Sequence, residues 1–154
     1  MEVVRIAEEL ESRGVDVIHL EVGEPDFPTS SSVIERACTA LEAGKTRYTD
    51  SRGVERLRDA LSAWYQSQGL DVPARRIQIT MGASAGLLLA SAATTNPGDG
   101  VLMADPAYPC NPRFVEAVGG EVHWITTDVT TQFQPTCKVL EAEATASDRT
   151  LMLA

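Results

Sequence analysis

Apolar residues recur along the chain at the two spacings that distinguish amphipathic helices from strands. Near the N-terminus, Val3, Ile6 and Leu10 lie three or four positions apart and Gly14 follows, so the pattern predicts a helix that ends there. Two further helical stripes follow, and each ends at a glycine. They comprise Val33, Ile34, Ala37, Cys38 and Leu41, and then Val54, Leu57, Leu61, Trp64 and Tyr65.

Five other segments carry the β-branched or continuous apolar runs that are typical of strands. They are 15–22, 76–81, 101–105, 121–127 and 150–154. From residue 76 onward the predicted strands alternate with an apolar helix to about Thr95, a short helix near 114–118 and a weaker one near 139–140. This alternation predicts an α/β fold with a largely parallel sheet covered on both faces.

The turn Gly82-Ala83-Ser84 joins a predicted strand to the apolar helix and carries no charge. The first N–H groups of a helix are unpaired and carry the positive end of its dipole, so small residues there let an anion approach. Alternatively, Ser84 caps a helix whose apolar body is buried. The turn matches neither of two nucleotide-binding motifs, G-x-x-x-x-G-K-[ST] and G-x-G-x-x-G. The loop 106–112 follows another strand at the same sheet edge, where ligands usually bind, and this favours a ligand.

Composition excludes several classes of partner. With 13 basic and 22 acidic residues, the net charge of −9 argues against nucleic acid or an anionic membrane as a partner, because either requires a basic face. The acidic N-terminus is not a signal peptide, and no apolar run is long enough to span a bilayer. Cys38, Cys110 and Cys137 are expected to be free thiols of a cytoplasmic protein, with no zinc or other metal site. His19 and His123 receive no catalytic role.

Four stretches resemble, in order and spacing, the aspartate-aminotransferase-like family of fold-type I enzymes, which use pyridoxal 5′-phosphate (PLP). They are HLEVGEPDFPTS at 19–30, GKTRYTDSRGVERLRDAL at 44–61, TMGASAG at 80–86 and DPAYP at 105–109. The resemblance implies a three-layer αβα large domain with a mostly parallel, incomplete sheet at 26–154. An N-terminal segment of the small domain would precede it at 1–25.

The resemblance also implies roles for single residues near the cofactor. Gly82, Ala83 and Ser84 look like the cup that receives the PLP phosphate, and Tyr108 looks like the aromatic residue that stacks on the pyridine ring. Such a stack contributes about 1 kcal/mol. Without the resemblance, Tyr108 would be read as a loop residue that packs on the sheet edge.

Two further roles concern the substrate and the neighbouring subunit. Gly23 looks like the glycine whose backbone lies beside the substrate carboxylate, and Tyr48 looks like the tyrosine that reaches the cofactor phosphate of the other subunit in a homodimer. The alternatives are a turn glycine and a partly buried loop tyrosine. Gly53 and Arg58 match the family motif as structural residues.

The implied reaction is amino-group transfer between an L-amino acid and a 2-oxo acid. No catalytic residue is assigned, because the family's Schiff-base lysine would lie beyond Ala154, and neither Lys45 nor Lys138 matches its position. The chain stops within an apolar strand, so we expect it to be the N-terminal part of a longer polypeptide and inactive alone. A PLP-dependent lyase or synthase, the aminotransferase-like sensor domain of a transcription regulator and an unrelated doubly wound binding module remain open. The residues do not identify the amino acid.

Overall fold

The computed structural model describes residues 2–145 and 148–152. The chain divides into two compact units, Met1–Tyr48 and Thr49–Ala154. The predicted division at residue 25 into a small-domain and a large-domain part stays a prediction. The last two residues of the strand predicted at 150–154 lie outside the described residues.

The first unit contains two helices, α1 (Glu2–Ser12) and α2 (Ser31–Glu42), as the apolar spacing predicts. The strand predicted at 15–22 is wrong: within the described chain this segment pairs with no neighbouring strand. Ile18 and Leu20 are 83% and 88% exposed. Alternating apolar residues suit a strand, but a strand forms only where a partner pairs with its backbone N–H and C=O groups.

The second unit contains four helices and three strands in its described part. The helices are α3 (Glu55–Ser67), α4 (Gly82–Thr94), α5 (Asn111–Glu116) and α6 (Cys137–Glu143), with short 3-10 helices at Ala74–Arg76 and Val129–Thr131. The strands are β1 (Gly100–Asp105), β2 (Glu121–Thr126) and β3 (Asp148–Met152). All four predicted helices of this unit are confirmed, as are the predicted strands at 101–105 and 121–127.

The three strands form a parallel sheet in the order β2-β1-β3. The connection from β1 to β2 leads to one edge, and the connection from β2 to β3 returns across β1 to the other edge. Since parallel crossovers are right-handed, connections that run in opposite directions put their helices on opposite faces. The predicted three-layer α/β architecture is therefore confirmed.

The core of this unit lies on the central strand. Val101 and Met103 of β1 are each 1% exposed, and Val115 of α5 and Ile125 of β2 are fully buried. Burial of an aliphatic side chain of this size contributes about 1.5–3 kcal/mol. The central strand is thus fixed in place, and so is the point at which it ends, Asp105.

Two predictions for residues 76–95 need correction. The segment 77–80 is extended at Ile77 but joins no ladder among the described residues. It is linked to the loop 50–53 by one backbone hydrogen bond, from Ile79 N to Arg52 O at 3.0 Å, and by one side-chain bond, from Gln78 Nε2 to Ser51 O at 2.8 Å. The strand predicted at 76–81 is therefore wrong. The body of α4 packs against α5, but Leu88 and Leu89 are 41% and 53% exposed, so its apolar residues are not buried as expected.

Candidate functional site

The turn before α4 is an open helix N-terminus. Met81 occupies the N-cap position and no side chain caps the helix, whose first turn also holds no acidic residue. Gly82, Ala83 and Ser84 are all exposed. Because Ser84 lies inside the first turn and accepts no capping bond, the alternative that it caps the helix is wrong.

Gly82 gives this turn its shape. Its φ is +82°, a left-handed conformation that costs a residue with a side chain about 1–2 kcal/mol. A Cβ added at Gly82 would meet no atom within 4 Å, so the space in front of the turn is open. An uncapped helix start, no acidic neighbour in the turn and open space together fit a phosphate group.

Thr80 forms two hydrogen bonds with Gly82, the first residue of the turn. Its hydroxyl donates to the carbonyl oxygen of Gly82 at 2.9 Å, and the Gly82 N–H donates to the carbonyl oxygen of Thr80 at 3.0 Å. The two bonds direct polar groups of Gly82 back toward Thr80. Sequence reasoning assigned Thr80 no role, although a hydroxyl two positions before a turn glycine is a visible signal of such a bond.

Tyr108 lies in the loop that follows the central strand. The loop begins with a cis peptide bond between Asp105 and Pro106 and closes where the Asn111 N–H donates to the Tyr108 carbonyl oxygen at 3.0 Å. Tyr108 is 62% exposed. A hydrogen bond with Cys110 and the charge of its thiolate raise the pKa of Tyr108. Tyr108 thus stands at the carboxyl end of a parallel strand, with its ring open to a ligand.

The turn and Tyr108 belong to the same unit, and the helices that follow them, α4 and α5, pack together. Within the described residues no hydrogen bond or ion pair joins Gly82, Ala83 or Ser84 to Tyr108. The turn and Tyr108 would therefore contact a ligand without any direct bond between them. Gly23 and Tyr48 lie in the other unit. A Cβ at Gly23 would meet no atom within 4 Å, and the Tyr48 side chain is fully exposed.

Other kinds of site find no support in the described part of the chain. No group of three or more His, Cys, Asp or Glu side chains is arranged to hold a metal ion there. None of the helices described has the length and apolar character needed to cross a membrane. Cys38, Cys110 and Cys137 are exposed free thiols, as predicted. His19 is not in a strand but lies between two carboxylates, Glu11 and Glu21.

Comparison with known proteins gives matches along most of the chain. The model of the family described as aminotransferase class I and II matches residues 15–154. A (5-formylfuran-3-yl)methyl phosphate transaminase from Methanocaldococcus jannaschii is 41% identical over 122 residues, which make up 79% of this chain and 33% of that protein. A valine–pyruvate aminotransferase from Mycobacterium tuberculosis is 37% identical over 141 residues, or 91% of this chain and 36% of that protein.

The fold agrees with these matches. The solved structure of aspartate aminotransferase from Thermus thermophilus with maleate has a TM-score of 0.90 at 33% identity, and the comparison covers 97% of this chain and 40% of that chain. The chain spans about a third of the length of the curated relatives named above.

Proposed function

Because the chain belongs to the aminotransferase class I and II family, we propose that it builds the phosphate- and ring-binding part of a PLP site. The whole protein would transfer an amino group between an L-amino acid and a 2-oxo acid. One observation carries the proposal: α4 begins at an exposed glycine turn that no side chain caps. The family in general depends on PLP. The fit of this turn to a phosphate group supports PLP as the cofactor of this chain.

In this proposal the phosphate of PLP binds at Gly82, Ala83 and Ser84. The N–H groups of Ala83 and Ser84 in the first helical turn donate to its oxygens, whereas the Gly82 N–H already donates to Thr80. The Ser84 hydroxyl supplies a further donor. The helix dipole contributes about 0.3–1 kcal/mol toward a negative charge at this position. Neither Lys nor Arg occurs among these three residues, so their contribution comes from backbone N–H groups, the helix dipole and the Ser84 hydroxyl.

Three residues would orient the rest of the site. The exposed ring of Tyr108 would stack on the pyridine ring and fix its plane. Gly23 would let the substrate carboxylate approach the backbone, because no side chain fills the space beside it. The exposed Tyr48 would donate its hydroxyl to the cofactor phosphate of a second subunit, so the working protein would be a homodimer.

When bound, PLP supplies an electron-withdrawing ring that stabilises negative charge at the substrate Cα. This chain's own residues bind and orient: the turn holds the phosphate, Tyr108 sets the plane of the ring and Gly23 admits the carboxylate. Proton transfer at Cα is assigned to none of them. Lys45 and Lys138 match no catalytic position, so the 154-residue chain alone should show no transaminase turnover.

The names of the relatives favour transamination over the alternatives of the same fold. The curated relatives described above are a transaminase and an aminotransferase, not lyases, synthases or transcription regulators. The amino acid stays open, since the related proteins differ in the substrates that their names state. Three exposed free thiols favour a reducing compartment, and we propose the cytoplasm.

The test is reduction of the protein, purified from its own source, with borohydride, followed by intact mass measurement and peptide mapping. The proposal expects a phosphopyridoxyl group on one lysine, in a peptide that contains neither Lys45 nor Lys138. It also expects the unreduced protein to lose its PLP absorbance band when an L-amino acid is added. A protein with no adduct and no such band would refute the proposed cofactor.

A further inference from the structure

A buried arginine lies in the same unit as the glycine turn. Arg58 of α3 is 6% exposed, although an arginine on a helix surface ordinarily keeps its charged head in water. Its Nε donates to the Gly53 carbonyl oxygen at 3.2 Å, and its Nη1 donates to the Ala74 carbonyl oxygen at 3.4 Å. One guanidinium therefore ties α3 to two segments, the loop 50–53 and the 3-10 helix at Ala74–Arg76.

The loop 50–53 in turn supports the segment that leads into the turn. The Ser51 carbonyl oxygen accepts from Gln78 Nε2 at 2.8 Å, in addition to the backbone bond between Arg52 and Ile79. A Cβ added at Gly53 would lie 2.5 Å from Ile79 Cβ. Position 53 therefore requires glycine for two reasons: a side chain there would overlap Ile79, and the φ of Gly53 is +93°.

The same segment ends at Thr80, which closes the turn at Gly82 through its hydroxyl. A Cβ added at Gly86, one turn into α4, would lie 3.3 Å from Thr80 Oγ1, so Thr80 also lies close to the helix backbone. A continuous series of contacts leads from Arg58 through Gly53 and Ile79 to Thr80 and the turn. None of these residues is exposed in the way that Gly82, Ala83 and Ser84 are.

We propose that Thr80 and Arg58 are positioning residues for the phosphate site, acting on the direction of the N–H groups in the turn rather than on the ligand. The inference rests on the proposed function, because it assumes that this turn binds the PLP phosphate. Its physical basis is that preorganised donors bind an anion well only when their supports hold them in place. The open space around Gly82 offers no other support on the solvent side.

The experiment compares PLP with pyridoxal, which has the same ring and no phosphate. Dissociation constants for both ligands are measured on the intact protein after removal of its cofactor. Thr80→Val keeps the shape of the side chain and removes the hydroxyl, and Thr80→Ser restores a hydroxyl. We expect Thr80→Val to weaken PLP about tenfold with pyridoxal unchanged, and Thr80→Ser to recover most of the loss.

Thr94→Val is the matched control, since the Thr94 hydroxyl also donates to a carbonyl of α4, that of Ala90 at 2.8 Å, but at the other end of the helix. It should leave the dissociation constants of both ligands unchanged. A second pair is Arg58→Lys, which cannot reach both carbonyls, and Arg56→Lys at an exposed position of the same helix. Only Arg58→Lys should weaken PLP relative to pyridoxal, by about threefold.

Two results would overturn the inference: Thr80→Val binding PLP as tightly as the parent protein, or losing PLP and pyridoxal to the same extent. The second result would mean that Thr80 supports the fold and not the phosphate site. Failure of the proposed function has a different signature, since the parent protein itself would then show no preference for PLP over pyridoxal.

Discussion

The interactions inside one unit of the chain differ from those inside the other. In the described part of Met1–Tyr48, Ala7 is the one buried residue, and the contacts of α1 are exposed ion pairs such as Arg5–Glu2 at 2.7 Å and Arg5–Glu9 at 3.2 Å. In Thr49–Ala154, side chains such as Met103 pack in a core. Exposed pairs contribute about 0–1 kcal/mol each, whereas deletion of a buried side chain costs several times more.

The residues of the proposed site are divided between the two units. The turn and Tyr108, which would hold the cofactor, belong to the unit with a packed core, where strand ends and helix starts are fixed. Gly23 and Tyr48, which would meet the substrate and the second subunit, belong to the unit whose described part has one buried residue and exposed ion pairs. We therefore expect the phosphate site to tolerate salt and pH changes better than the segments that carry Gly23 and Tyr48.

The largest expected effect is in the core of the second unit. Met103→Ala should lower the free energy of unfolding by about 2–5 kcal/mol, because it leaves a cavity beside Val101 and Val115. Urea unfolding followed by far-UV circular dichroism measures it, since both units contain helices. Leu20→Ala, at an 88% exposed position of the first unit, should change it by less than about 0.5 kcal/mol. Equal losses of unfolding free energy in the two variants would contradict the proposed difference between the two units.

A smaller effect is expected at the turn, where strain and ligand binding can be separated. Gly82→Ala and Gly98→Ala place a side chain at φ values of +82° and +84°, so each should cost about 1–2 kcal/mol of stability. Gly98 lies in the loop between α4 and β1, away from the proposed phosphate site. Only Gly82→Ala should weaken PLP binding, as measured by absorbance titration. Equal binding by the two variants would argue against a phosphate at this turn.

The smallest effect concerns pH in the first unit. His19 Nδ1 lies 2.6 Å from Glu21 Oε1 and its Nε2 lies 3.0 Å from Glu11 Oε1. Hydrogen bonds to Glu11 and Glu21 raise the pKa of His19 to about 9 from 6.5. Only the protonated ring can donate to both carboxylates at once.

Since the folded pKa of His19 lies above the unfolded one, the stabilisation is complete below about pH 6.5 and is lost as the pH rises through about 9. The stability difference between the protein and His19→Gln should follow that course in thermal unfolding between pH 6 and pH 10. High salt should reduce it, because His19 and Glu11 are half exposed. A difference that stays constant over this range would contradict the role of His19.

Local patterns predicted the helices well and two of the strands poorly. The stripe of Val3, Ile6 and Leu10 and the glycine after it define α1, because helix formation depends on near neighbours in the sequence. The segments 15–22 and 76–81 have strand-like residues, yet strand pairing depends on distant partners that no local pattern contains. The three strands that do pair were predicted from their apolar runs, and their parallel arrangement from their alternation with helices.

The candidate site shows the same limit. The bare turn at Gly82 is visible in the sequence, but its uncapped helix start is a property of the folded backbone. Arg58 lies among residues that suggest an exposed helix face, and its burial follows from the carbonyls of Gly53 and Ala74, which are 5 and 16 positions away. The roles of Tyr48 and Tyr108 came from family resemblance, and they stay predictions.

In the proposed function, the turn at Gly82–Ser84 binds the cofactor phosphate. The most direct measurement is a crystal structure of the intact protein with bound PLP. We expect phosphate oxygens within hydrogen-bonding distance of the Ala83 and Ser84 N–H groups and of the Ser84 hydroxyl, with the pyridine ring against Tyr108. A phosphate held elsewhere, by lysine or arginine side chains with this turn empty, would contradict it.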